Sequence, residues 1–203
     1  MSLQRHGEKH RVEVKSLDQV LLKLPAVRET FNGCRSVFKA TDKDGDGLIQ
    51  LAEFKQSALN MQLHLPDQLL EDVYNQADLN NSHTIDFREF IVLLTLVWLL
   101  RPQSGGEQPL AGLDKAMDTV VAAFLWFDKD NSGSIEREEV LQALGAEDVA
   151  SSRAPHHSGG RHGPGRSASK HRFQEMNLLK DGKVTFPEFV LCVESWAGVE
   201  DDE

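Results

Sequence analysis

The chain has 203 residues and a formal net charge of −10, enough length to bury a sizeable core as one domain or two small lobes. The charge disfavours nucleic-acid phosphates as partners, and the two cysteines, Cys34 and Cys192, lie far apart in sequence with no framework spacing and are expected to be reduced core thiols. Met1 to Lys15 is charged throughout and offers no apolar signal core, and residue 2 is serine, so neither secretion nor myristoylation is expected.

Residues 1–25 are expected to form a flexible tail and a short helix. Ser16 and Gln19 are placed as in a capping box, Leu17, Val20, Leu21 and Leu24 share a face, and Pro25 ends the helix. Within 26–101, Val27, Phe31, Cys34, Val37 and Phe38 recur at steps of three and four, which predicts one amphipathic helix leading into Asp42.

The stretch from Asp42 to Glu53 carries an oxygen-bearing side chain at every second residue, then a glycine, and closes on an acid. Such spacing suits Ca²⁺, a hard cation that takes six to eight oxygens from loop positions 1, 3, 5, 7, 9 and 12. The expected donors are Asp42, Asp44, Asp46, the Leu48 carbonyl, Gln50 through a water, and Glu53. Gly47 stands at position 6, where the chain turns sharply. Ile49 at position 8 is apolar, and it predicts a short strand pairing with a second loop. Leu51, Phe54, Ala58 and Leu59 continue as a helix that Pro66 stops.

The unit recurs. Leu69, Leu70, Val73, Tyr74 and Ala77 lead into a loop with Asp78, Asn80, Ser82, the Thr84 carbonyl, Asp86 and Glu89 as donors, and Ile85 opposite Ile49. His83 stands where glycine is usual; histidine reaches the left-handed region at a cost, so this site is expected to be weakened. Residues 90–100 are apolar nearly all round. They are too short to span a membrane, so they are expected to be buried against the chain's own lobes, with a partner groove or a membrane surface as the alternative.

Residues 102–112 are expected to be a linker, containing the polar run Gln103 to Gln108. In 113–198 a third unit begins with Leu113, Met117, Val120, Val121, Phe124 and Phe127. Its donors are Asp128, Asp130, Ser132, the Ser134 carbonyl, Glu136 at the usually water-mediated place, and Glu139, with Gly133 at position 6. The fourth loop, 177–188, keeps Gly182, Val184 and Glu188 but has neutral Asn177 at position 1 and Leu179 at position 3. It is expected to hold little or no metal and to serve as the strand partner of the third, Val184 against Ile135. Phe173 and Met176 anchor a short entering helix before it, and Phe189, Val190, Val193 and Trp196 form the last exit helix, ahead of an acidic tail at 199–203.

Between the third and fourth units lies a basic insertion at 150–170, rich in His, Gly and Ser, and the connection is about 13 residues longer than in the first pair. Its composition cannot bury a core, so disorder is expected. Zinc capture by His156, His157 and His162, basic docking, or phosphorylation at Ser167 or Ser169 are the functional alternatives.

At every defined position, Asp42 to Glu53 matches the calcium-loop pattern D-x-[DN]-x-[DN]-G-x₅-E. The chain therefore resembles the EF-hand superfamily, over about Val27 to Ala197 apart from the insertion, and is similar to its calmodulin-like branch, the plant calmodulin-like proteins in particular. Four methionines, the initiator included, set it apart from calmodulin itself. The resemblance implies an all-α fold of two pairs of helix-loop-helix units, each pair joined by a short two-stranded antiparallel β contact. It also implies Ca²⁺ at up to three sites, with half-saturation of roughly 10⁻⁷ to 10⁻⁵ M. A sensor of this family would expose an apolar groove to the amphipathic helix of a target protein; the alternative is a buffer or a calcium-stabilised structural protein. The cytoplasm is the expected location, with the nucleus also open. No nucleophile and base stand at a motif spacing, and there is no phosphate loop or zinc signature, so an enzyme is not expected.

Overall fold

Apolar residues spaced at three and four produce helices, and the computed structural model describes them over residues 17–63, 65–100, 113–151 and 171–199. In chain order these are α1 (Leu17–Leu21), α2 (Leu24–Gly33), α3 (Arg35–Thr41), α4 (Leu51–Asn60), α5 (Asp67–Ala77), α6 (Phe87–Leu100) and α7 (Leu113–Phe127). Then follow β1 (Ser134–Glu136), α8 (Arg137–Ser151), a helical stretch at 171–176, β2 (Lys183–Thr185) and α9 (Phe186–Ala197). The expected all-α fold is therefore found. The N-terminal tail, the linker, most of the insertion and the end of the acidic tail lie outside the described residues.

Both expected loop pairings form. Ile49 and Ile85 exchange backbone hydrogen bonds of 2.8 and 2.9 Å in a single antiparallel bridge. Strands β1 and β2 pair antiparallel, with Ile135 opposite Val184. All four of these side chains are fully buried. The apolar residue at position 8 of each loop thus plugs the core while its backbone closes the pair.

Four local expectations are corrected. Pro25 does not merely end a helix; it lies in the first turn of α2, where its missing N–H breaks no intrahelical bond. The helix expected from Val27 to Phe38 is interrupted after Gly33, a poor helix former, where the Cys34 N–H bonds the Phe31 carbonyl three residues back. Leu59, which the helical spacing groups with Leu51, Phe54 and Ala58, is 72% exposed. The backbone of α8 is helical through Ser151, so the first two residues of the insertion continue that helix.

Phe90 to Thr95 and Val97 to Leu99 of α6 are buried, so the apolar run is taken up by the chain's own packing, the first of its two expected roles. Among the described residues, no helix is long and apolar enough to cross a membrane. The covering comes from α5 and from α9, which also packs on α2 and α7, and the buried side chains make one contiguous core from Val20 to Val199. Two polar contacts tie the halves: Trp98 Nε1 donates to Asp114 at 2.6 Å, and Arg88 Nε donates to Glu194 at 2.8 Å. Glu194 is 1% exposed. Arg88 itself stays 41% exposed at its side chain, so the guanidinium reaches in from the surface to meet a buried carboxylate and fixes the register of α9 on α6.

Both cysteines are buried and unpaired with each other, as expected. Burial pushes the Cys34 thiol up to about 11 and, as the main cause, the Cys192 thiol up to about 12, so neither is a thiolate at neutral pH.

Candidate metal centres

Each loop lies between an entering and an exit helix, and its backbone takes the same path in all four units. Position 6 is left-handed in every case, at Gly47 (φ 83°), Gly133 (φ 88°) and Gly182 (φ 93°), and also at His83 (φ 62°). Histidine therefore adopts the turn despite its Cβ, at a cost of order 1 kcal/mol. Position 4 is left-handed too, at Gly45, Asn81, Asn131 and Lys180. The donor spacing does not reveal this second turn. Glycine and two asparagines at that place were its signal, since these residues reach the left-handed region most easily.

In the first loop, carboxylate oxygens of Asp42, Asp44 and Asp46 lie within 4.8 Å of one another. In the third, Asp128, Asp130 and Glu139 make an equivalent group. Among the described residues, these are the two clusters of three acids compact enough to grip one cation. The position-1 aspartates also brace their loops. Asp42 accepts from the N–H groups of Gly45 and Gly47 at 2.7 and 3.0 Å, and Asp128 from those of Ser132 and Gly133 at 2.9 and 3.0 Å.

The second loop repeats that bracing, with Asp78 accepting from Ser82 and His83 at 2.9 Å each. Asn80 Oδ1 accepts from the Ser82 N–H at 2.8 Å. The Ser82 hydroxyl donates to the Thr84 carbonyl at 2.9 Å, as Ser132 does to Ser134 at 2.9 Å. The position-5 and position-7 oxygens of both loops thus face one point. Asp86 accepts from the Glu89 N–H at 2.8 Å and so caps α6.

The closing glutamates are hydrogen-bonded across their loops. Glu53 accepts from Lys43 at 2.7 Å with one oxygen and from Gln50 at 2.9 Å with the other. Glu139 does the same with Lys129 at 2.7 Å and Glu136 at 2.8 Å. Glu89 bonds Leu79 at 3.1 Å and, at 3.3 Å, Asp86. Each carboxylate straps the start of its exit helix to the far side of the loop. At position 9 the side chains diverge: Gln50 donates to Asp44 at 3.2 Å, whereas Glu136 pairs with Lys183 on β2 at 3.2 Å.

The fourth loop differs where it was expected to. Glu188 is strapped like the others, to Leu179 at 3.0 Å and Thr185 at 2.9 Å. Asn177, however, is buried with its Oδ1 lacking any hydrogen-bond partner, and Leu178 and Leu179 are exposed. No acid cluster forms there among the described residues.

Electrostatics follow from this crowding. Burial raises Asp128 above the usual aspartate range, and the Glu139 charge adds to it. Glu89 is raised by burial and by Asp86. Asp130 is lowered, chiefly by the Ser132 hydroxyl. A divalent cation among these oxygens would reverse the strain that raises the first two. The first and third loops fit Ca²⁺: their donors are all hard oxygens, and three carboxylates in each lie close enough to share one cation. The second fits with fewer acids, and the fourth does not.

An EF-hand domain pair model matches residues 31–95, and an EF-hand model matches 120–144. The protein of Arabidopsis thaliana named probable calcium-binding protein CML22 is 35% identical over 95% of this chain and 82% of its own length. The chain belongs to the EF-hand family. Within it, this EF-hand protein is of the calmodulin-like plant type, as a second Arabidopsis thaliana relative agrees: probable calcium-binding protein CML21 is 30% identical over 94% of this chain and 79% of its own. Calcium-dependent protein kinase 16 of Oryza sativa subsp. japonica is 28% identical over 82% of this chain but only 26% of the kinase. That likeness carries no kinase chemistry to this EF-hand chain.

Proposed function

We propose that the chain is a calcium sensor that binds Ca²⁺ at the first and third loops and more weakly at the second, and that it then presents apolar surface to an amphipathic helix of a target protein. The proposed ligands are Asp42, Asp44, Asp46, the Leu48 carbonyl and Glu53; Asp78, Asn80, Ser82, the Thr84 carbonyl and Glu89; and Asp128, Asp130, Ser132, the Ser134 carbonyl and Glu139. Bound calcium would supply the positive charge that offsets carboxylate repulsion in each cage. Glu89 then holds the first turn of α6 in a position set by the loop's oxygens.

The observation that favours a sensor is the placing of buried apolar surface directly behind a closing ligand. Glu89 stands in the first turn of the most apolar helix of the chain, and that helix is covered by α5 and α9. A shift of α6 at Glu89 moves Arg88, which holds Glu194 of α9, so opening would uncover both helices together. The reduced thiols fit a cytosolic setting, with the nucleus equally compatible. The two helix-loop-helix pairs, 26–101 and 113–198, are proposed as the functional units.

Titration of calcium-stripped protein with Ca²⁺, followed by an apolar-surface dye and by tryptophan emission, tests this. Trp126 is well placed to report, because Lys129 of the third loop lies over its ring at 5.3 Å from the centroid. Dye binding should rise with calcium and be blunted by Glu89→Gln. Tight binding with a flat dye signal would make the protein a buffer.

A further inference from the structure

Tyr74 is the chain's single tyrosine. It lies on α5, 3% exposed, with its ring beside Phe54 of α4 at 6.1 Å between centroids. Four residues ahead of the other three loops stand Phe38, Phe124 and Phe173. A ring at that place serves packing, and phenylalanine suffices for it in three units. The hydroxyl is the addition, and it occurs in the unit whose loop has histidine in place of glycine.

That hydroxyl lies 2.9 Å from the carbonyl oxygen of Ile49 and 3.1 Å from that of His83. Ile49 is position 8 of the first loop, and His83 is position 6 of the second. One proton is thus shared between acceptors on two different loops. Ile49 already accepts the Ile85 N–H at 2.9 Å; a carbonyl has two lone pairs, so both bonds are admissible. Burial first, and then the charges of Asp78, Glu89 and Glu53, push the phenol up to about 12, so at neutral pH it keeps its proton and donates.

We propose that Tyr74 is the positioning residue that couples the first two loops: its hydroxyl clamps the left-handed His83 turn to the Ile49 carbonyl of the intact loop. Ordering of either loop then favours the other. The β-bridge alone joins the loops at position 8; the tyrosine extends the tie to the turn that histidine strains. This deepens the sensor reading and rests on it for the calcium arm of the test.

The test is calcium titration of Tyr74→Phe, which installs the residue used by the other three units. Loop 2 affinity is measured with loop 1 intact and again in a Glu53→Gln background; the ratio of the two is the coupling. Tyr74→Phe should lower that ratio about fivefold, the effect of losing one hydrogen bond. Loop 1 affinity in a Glu89→Gln background should change less than about twofold. An unchanged ratio, including one left unchanged by equal losses in both backgrounds, overturns the coupling and leaves the hydroxyl a packing detail. The second arm needs no calcium: amide exchange at Ile49 and Ile85 should quicken about fivefold in calcium-free Tyr74→Phe, and an unchanged rate overturns the clamp. Absence of calcium binding would sink the sensor reading while this arm still decides the clamp.

Discussion

Glu139→Gln should lower calcium affinity at the third loop by at least about 100-fold, because a buried charge opposite an ion is worth ~3 kcal/mol or more when one partner is removed. Glutamine keeps the size and one carbonyl oxygen, so the loss measures charge and bidentate reach. The structure adds a second consequence. Both Glu139 oxygens accept backbone N–H groups, from Lys129 and Glu136, and an amide can accept with only one of its two ends. The strap from α8 to the loop is therefore loosened before any ion arrives. Titration calorimetry or Trp126 emission reads the affinity. A loss under threefold would mean that Glu139 does not close the cage.

The other large effect is on stability. Phe124→Ala should destabilise the protein by about 3–5 kcal/mol, the usual cost of emptying a fully buried phenylalanine site. Phe124 has no exposed surface. Its ring meets Phe186 edge-on at 5.2 Å and 86°, and Phe189 at 5.5 Å and 74°. Those two residues flank Glu188 at the start of α9, so Phe124 joins the third unit to the fourth. The fourth loop has no acid cluster to be organised by metal, which leaves packing as its support. Calcium at about 100 times its dissociation constant would return ~2.7 kcal/mol per occupied site, so one occupied site returns less than the loss and two return about as much. Thermal unfolding with and without calcium measures both numbers. A fall of less than about 1 kcal/mol would place the tie between these units elsewhere.

Much of this was legible because the loop is a local device. Its donors, its glycine and its apolar position 8 sit within twelve residues, so spacing alone marked Asp42 to Glu53 and Asp128 to Glu139. The same spacing pointed to the Ile49 to Ile85 and Ile135 to Val184 contacts, since a lone apolar residue in a polar loop needs a buried partner. Periodicity failed where a residue's fate depends on a distant surface. Nothing local says that α9 crosses to α2 and α6, or that Arg88 meets Glu194 106 residues later. Leu59 fits a helical stripe, yet among the described residues no element covers it. Lys180 holds a left-handed turn that its residue type hides. The role of Tyr74 was half-visible, as one hydroxyl among four equivalent rings, but its meaning needed the second loop's carbonyl beside it.

The central claim is that oxygen cages in the first and third loops hold calcium, and stoichiometry tests it most directly. Chelator-stripped protein, returned to millimolar calcium and weighed intact by native mass spectrometry, should carry two ions, with a third at higher calcium. Glu53→Gln and Glu139→Gln should each remove one. Protein that carries no ion, or a double variant that still carries both, would contradict the account.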